Sequence, residues 1–147
     1  MSIFLREATK DDADIILEWR NDPLTRNQSF SKGLIDRETH IQWFLNKLSD
    51  TNCFLFILMD GTERVGHLRI DKVNDIGEIS YMIAPDKRKR GYGKKIIGLS
   101  ERVVPHNINA LIGLVQNTNE SSKKCFISNH YSEFSAGDII CYIKVLS

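Results

Sequence analysis

The stretch best suited to chemistry is Arg88-Lys89-Arg90-Gly91-Tyr92-Gly93-Lys94-Lys95. Six of the 20 Lys and Arg residues lie between Asp86 and Lys95, after an apolar strand-like run (Ile79 to Ala84) and before a helix-like one (Ile96 to Val104). Glycines in such a turn let backbone N–H groups point at an anion, and a helix N-terminus adds unpaired donors and partial positive charge. The dipole alone contributes only about 0.3–2 kcal/mol. Several N–H groups converging on one diphosphate add charge-assisted hydrogen bonds. The stretch is neither a Walker loop nor Gly-x-Gly-x-x-Gly, so neither common nucleotide loop is predicted. It reads as a phosphate-holding turn, with a solvated basic turn as the plain alternative.

The elements that must position this turn follow from periodicity. Ile3 to Ala8 reads as a strand, and Thr9 with Asp12 three residues on as a helix cap. The first helix runs to about Arg20 with Ile15, Ile16 and Trp19 on one side, and Asn21-Asp22-Pro23 is expected to end it. Thr25 to Leu34 reads as a loop. Asp36 caps a second helix with the stripe Ile41, Phe44, Leu45 and Leu48. Cys53 to Met59 reads as a central strand and Asp60-Gly61 as a hairpin turn, and Arg64 to Val73 and Gly77 to Ile83 alternate as strands. A helix from about Gly93 to Val104 stops before Pro105. A strand (Ala110 to Val115), a short helix (Asn119 to Asn129) and two strands around Gly137-Asp138 complete the chain. The fold class is α/β (α+β): one domain over residues 1–147, with a mixed, mostly antiparallel sheet of six to seven strands flanked by about four helices.

Composition bounds the function. A chain of 147 residues suffices for one core that buries roughly 70% of the unfolded surface. The formal net charge is +1, so the basic turn is a local concentration, which argues against nucleic acid as a partner. The longest strongly apolar run, Phe54 to Met59, is too short to span a membrane. The sequence from Met1 to Glu7 lacks a signal-peptide core, so a cytoplasmic protein is expected. Three widely spaced cysteines (Cys53, Cys125, Cys141) imply neither a disulfide framework nor a metal site.

Arg88, Gly91 and Gly93 match Arg/Gln-x-x-Gly-x-Gly/Ala, and Asn119-x-x-Ser122-x-x-x-Phe126 ending in His130-Tyr131 matches Asn-x-x-Ala/Ser-x-x-x-Tyr…Gly-Phe. With the element order, these motifs resemble the GNAT acetyltransferase superfamily over nearly the whole chain. The resemblance implies acetyl-coenzyme A as cofactor and a fourth and fifth strand that splay apart to admit its pantetheine arm. It assigns Met82 and Ile83 main-chain groups, Arg88, Lys89, Arg90, Gly91, Tyr92, Gly93 and Lys94, and Asn119, Ser122 and Phe126 to the cofactor. Lys87 and Lys95 join the candidates for its 3′-phosphate. The reaction it implies is direct attack of a neutral amine on the thioester, which needs a base, a polarised carbonyl and an acid for the departing thiol. The usual acid is a tyrosine where this chain has Phe126. Ser122, Tyr131, Tyr81 or a water is left to replace it, and on that basis Phe126→Tyr is expected to keep or raise turnover. Glu78, which shares a strand face with Ser80 and Met82, is the best carboxylate base. His67, beside Arg69 on its own strand face, and His40, at the edge of the second helix, are the other candidates.

The segment Trp19-Arg20-Asn21-Asp22-Pro23-x-x-Arg26-Asn27, followed by Glu38-x-His40-x-x-Trp43-Phe44, resembles a branch that acetylates nucleotide-linked amino sugars of the pseudaminic-acid type. That resemblance implies a 4-amino-4,6-dideoxy sugar as acceptor, held by Arg20, Asn21, Arg26, Asn27, His40, Trp43 and His67. Two other readings stay open: acetylation of a protein N-terminus or lysine, and a degenerate domain that binds coenzyme A without turnover. A polyamine acceptor fits less well, because the region from Trp19 to Trp43 is not acidic. A homodimer through the last strand is left open.

Overall fold

The computed structural model describes residues 2–146, so Met1 and Ser147, the ends of the predicted domain, lie outside the described residues. Strand β1 (Ile3–Glu7) leads into a 3-10 turn at Lys10–Asp12. Thr9 and Asp12 form the predicted capping box, with the Thr9 N–H donating to Asp12 Oδ2 at 2.8 Å. Asp12 is buried and also receives Arg6 at 2.9 Å and Arg64 at 3.2 Å. Burial opposes its ionisation, but these hydrogen bonds outweigh it and hold the carboxyl at about 2.

Helix α1 (Ala13–Arg20) buries Ile16 and Trp19. Helix α2 (Pro23–Gln28) stands in the segment whose start was expected to be loop. Asp22 and Pro23 start this helix as well as ending α1: the Asp22 carboxylate accepts from the N–H groups of Leu24 and Thr25, both at 3.2 Å, and proline suits the first helical position. Helix α3 (Arg37–Ser49) is capped by Asp36, which accepts from Thr39 N at 2.8 Å. Its inward stripe is shifted from the predicted one. His40 and Phe44 are buried, and Leu45 is 44% exposed.

Strands β2 (Cys53–Asp60), β3 (Glu63–Val73) and β4 (Ile76–Ile83) follow, then α4 (Tyr92–Val103), β5 (Ala110–Gln116), α5 (Glu120–Ser128), β6 (Ser132–Ala136) and β7 (Ile139–Val145). The sheet order is β1-β2-β3-β4-β5-β7-β6. Every pair is antiparallel except β4 with β5. The nearly continuous apolar run of β2 has both faces covered. One core lies between the sheet and helices α4 and α5, around Leu68, Ile96, Leu111 and Phe126. The other lies between the sheet and helices α1 and α3, around Ile16, Phe44, Leu55 and Ile57.

The parallel pair positions the site. β4 pairs with β5 only over Ile76 to Ile79 against Ala110 to Gly113. Beyond that, Ser80 to Ile83 and Leu114 to Gln116 part, leaving a gap through the sheet with an unpaired backbone edge on β4. No helix of the described residues is long and apolar enough to cross a membrane.

Candidate active site

A cavity of about 990 Å³ runs through this gap, from the N-terminus of α4 to the segment joining α2 and α3. Its two ends are built differently.

At the first end lies the basic turn. Lys89 and Gly91 both take left-handed backbone, with φ of 63° and 85°. Glycine adopts this conformation without strain, and a lysine held there marks a turn fixed by its surroundings. Gly91 is the N-cap of α4 and supplies no side-chain bond, so the first N–H groups of the helix face the cavity end uncapped. Gly93 lines the cavity and also serves packing. A Cβ there would sit 2.9 Å from Cys125 Sγ, so its lack of a side chain lets α4 pack closely on α5. Several of the side chains already have partners. Arg88 turns to α2, donating to Asp22 Oδ2 and Thr25 Oγ1, both at 2.7 Å. Lys87 pairs with Glu63 at 3.0 Å. The Tyr92 ring is buried with its hydroxyl on Asp60, which leaves only its backbone for a ligand. Arg90 is exposed and outside the cavity lining, whereas Lys89 and Lys94 line it.

In the middle, Tyr81, Met82 and Ile83 present the free edge of β4, with Asn119 and Ser122 of α5 opposite. Asn119 caps α5 by accepting from Ser122 N at 3.2 Å. The Tyr81 hydroxyl donates to Ser122 Oγ at 2.8 Å, and burial pushes its ionisation up. Phe126 lines the cavity but is 2% exposed, and it belongs to an aromatic cluster. It stacks on Tyr142 at 5.1 Å between ring centroids and meets Tyr131 edge-on at 5.0 Å. Its Cζ lies 2.3 Å from where a Gly113 side chain would begin. A tyrosine hydroxyl added at that ring tip would press on the β5 backbone, so the expectation that Phe126→Tyr keeps or raises turnover is withdrawn.

The far end is walled by α1, α3 and the segment joining α2 and α3. His67 Nδ1 donates to the Phe56 carbonyl at 3.0 Å, so Nε2 is the bare nitrogen. Burial pushes this imidazole down to about 4, so the ring is neutral at pH 7. His40 donates from Nε2 to the Ala13 carbonyl at 2.8 Å, joining α3 to α1, and burial lowers its pKa as well. Glu78, on β4 just before the strands part, is the single carboxylate on the lining among the described residues. Trp43 lies under the Arg69 guanidinium, 5.4 Å from ring centroid to Cζ. Asn21 lies off the cavity lining and clasps Ile35: its amide donates to the Ile35 carbonyl at 2.8 Å and accepts from Ile35 N at 3.0 Å. Asn27 is exposed outside the cavity.

Arg20 and Arg26 are unusual. Arg20 lines the cavity and gives Nη2 to the Ser31 carbonyl, but its buried Nη1 has no partner. The buried Nε of Arg26 also has none. Burial and the neighbouring charge of Arg26 both lower the pKa of Arg20, and among the described residues neither guanidinium meets a carboxylate. Sequence reasoning passed over Arg69 as a neighbour of His67 and missed Gln116. Gln116 ties the end of β5 to the Ser29 carbonyl at 2.9 Å and so closes the wall. Strand alternation held the signal for Arg69, whereas no local pattern marks Gln116.

A family profile described as acetyltransferase (GNAT) domain matches residues 2–131. The chain belongs to the GNAT acetyltransferase family. It is therefore an acyltransferase that uses acetyl-coenzyme A. No curated protein sequence matches it. Among solved structures, the GNAT chain is similar to spermidine N-acetyltransferase from Vibrio cholerae in complex with CoA and spermine, with a TM-score of 0.87 and 14% identity over 97% of this chain and 95% of that one. It is similar to the aminoglycoside acetyltransferase AAC(6')-Ib in complex with coenzyme A (TM-score 0.83, 13% identity, 98% and 95% covered). A domain from Methanocaldococcus jannaschii gives 0.84 at 21% identity, with 99% of both chains covered. These likenesses show the GNAT fold. The cofactor's needs fit this chain: the uncapped α4 N-terminus and the left-handed turn suit a diphosphate, and the free β4 edge suits pantetheine amides.

Proposed function

We propose that this GNAT enzyme acetylates the 4-amino group of a nucleotide-linked 4-amino-4,6-dideoxy sugar. The observation that carries the reading is Arg20, which lines the cavity with a buried, unpartnered Nη1 beside the charge of Arg26; Arg26 lies off the lining with its buried Nε also unpartnered, and neither is ion-paired among the described residues. Such a guanidinium is stabilised by an anion bound from solution, and a diphosphate suits guanidinium geometry. Spermidine and aminoglycosides, the acceptors named for two structural neighbours, are cations and would add to the repulsion. Trp43 supplies a flat apolar face for a ring, although Arg69 already covers part of it.

Bound acetyl-coenzyme A supplies the activated acetyl group. Glu78, the one carboxylate on the wall, takes the proton that the acceptor ammonium must lose. His67 keeps its one proton on Nδ1 for the Phe56 carbonyl, and its bare Nε2 accepts a hydrogen bond from the acceptor. The edge N–H groups of β4 between Ser80 and Ile83 are the donors available to polarise the acetyl carbonyl.

Steady-state kinetics of Arg20→Gln and Arg26→Gln test the assignment. A charge-assisted hydrogen bond contributes about 1.5–3 kcal/mol, so each change should raise the KM of the sugar nucleotide about 10- to 100-fold and leave that of acetyl-coenzyme A unchanged. Equal effects on both substrates, or an unchanged KM for the sugar, would count against it. Turnover of an N-terminal peptide instead would point to a protein acceptor.

A further inference from the structure

The tyrosine that serves the departing thiol elsewhere in the family is Phe126 here, and its ring is closed into the core. The same face of α5 carries another hydroxyl. Ser122 precedes Phe126 by four residues, so the two side chains lie one above the other. Ser122 is 7% exposed and lines the cavity opposite the free edge of β4. Its Oγ accepts a hydrogen bond from Tyr81 at 2.8 Å. Ser49 turns its hydroxyl back onto the Leu45 carbonyl of its own helix at 3.2 Å, but Ser122 makes no such bond among the described residues. With one lone pair taken by Tyr81, the Ser122 proton is directed away from Tyr81 and remains available to an acceptor in the gap. The Tyr81 ring is itself held edge-on against Phe126, at 6.2 Å between centroids.

We propose that Ser122 donates the hydrogen bond that stabilises the departing thiolate, and that Tyr81 is the positioning residue that aims it. The inference rests on the acyl-transfer activity and not on the identity of the acceptor. As the amine nitrogen forms its bond to the acetyl carbon, the carbon–sulfur bond breaks and its electron pair leaves on sulfur. Ser122 keeps its proton and shares it with the sulfur. The nitrogen loses two protons in all, one to Glu78 before attack and one to solvent as the carbon–sulfur bond breaks; the sulfur takes one proton back from solvent, so one proton is released per turnover. Tyr81 remains a neutral phenol throughout, as its buried position requires.

A titration that needs no acceptor tests this. The thiol of coenzyme A bound to the enzyme is followed by thiolate ultraviolet absorbance as pH rises, for the wild type, Ser122→Ala, Ser122→Thr and Tyr81→Phe. A donor to sulfur favours the thiolate, so Ser122→Ala should raise the titration midpoint by about one pH unit, and Tyr81→Phe by less. Ser122→Thr, which keeps the hydroxyl, should restore the wild-type midpoint. Desulfo-coenzyme A, which lacks the sulfur, should bind wild type and Ser122→Ala alike, and kcat of Ser122→Ala should fall about 10- to 100-fold with little change in the KM of acetyl-coenzyme A. An unchanged midpoint in Ser122→Ala would overturn the proposal. So would an equal loss of affinity for coenzyme A and its desulfo analogue, which would mark Ser122 as structural. Because no acceptor enters the titration, it can succeed even if the sugar assignment fails.

Discussion

His67 shows how a single buried side chain couples this fold to pH. Its folded pKa of about 4 lies below the ordinary 6.5, so between these values the unfolded chain binds more protons than the folded one. Stability therefore falls as pH drops from about 6.5 to about 4, and His40, lowered in the same direction, adds to the effect. The Asp12 loss comes later, as pH falls from 3.8 towards 2. Urea midpoints at pH 7, 5.5 and 4 should fall steadily in the wild type, and His67→Gln, which can still donate to the Phe56 carbonyl, should flatten the decline. A parallel decline in the variant would place the coupling elsewhere. At Gly113 the issue is space: Gly113→Ala would drive a methyl into the Phe126 ring and should cost about 1–3 kcal/mol in chemical denaturation. Motif resemblance sets Phe126 where the family carries a tyrosine, but does not reveal that Gly113 and Tyr142 enclose its ring, because those contacts join residues far apart in the chain.

At the level of elements, the basic turn and helix α2 are one mechanical unit. Arg88 reaches from the turn to Asp22, and the same carboxylate caps α2. Asp22→Ala removes both links. A lost cap costs about 0.5–2 kcal/mol, so hydrogen exchange of the amides of residues 24–28 should speed up severalfold while those of α3 stay protected. Unchanged exchange in α2 would show that packing, not Asp22, holds the helix. Most elements were legible from periodicity and caps, including the capping box at Thr9 and the Asp36 cap of α3. The α2 helix was not. It is six residues long with none buried, so it leaves no apolar stripe to read. In the sequence His40 stands one position before the predicted apolar stripe and so reads as the edge of α3, whereas it is buried and bonded to the Ala13 carbonyl. The parting of β4 from β5 is a property of pairing, which strand alternation cannot express.

Across the whole molecule, a net charge of +1 conceals an uneven distribution. Arg69, Lys87 and Arg88 on the cavity lining are paired with Asp71, Glu63 and Asp22, which leaves Lys89 and Lys94 at the end near α4 and Arg20 at the end near α1. An anionic acceptor drawn by these charges should show a KM that rises with salt between 0.05 and about 0.5 M, as screening shortens to a few ångströms. A neutral amine should not. The central claim is that the acceptor must bring a negative charge. The most direct test is thiol release from acetyl-coenzyme A, comparing a UDP-4-amino-4,6-dideoxyhexose, the methyl glycoside of the same amino sugar, and spermidine. The account predicts rapid release with the nucleotide sugar, at least tenfold lower kcat/KM with the glycoside, which lacks the diphosphate, and little with spermidine. Equal kcat/KM for the sugar with and without its nucleotide, or a preference for spermidine, would contradict it.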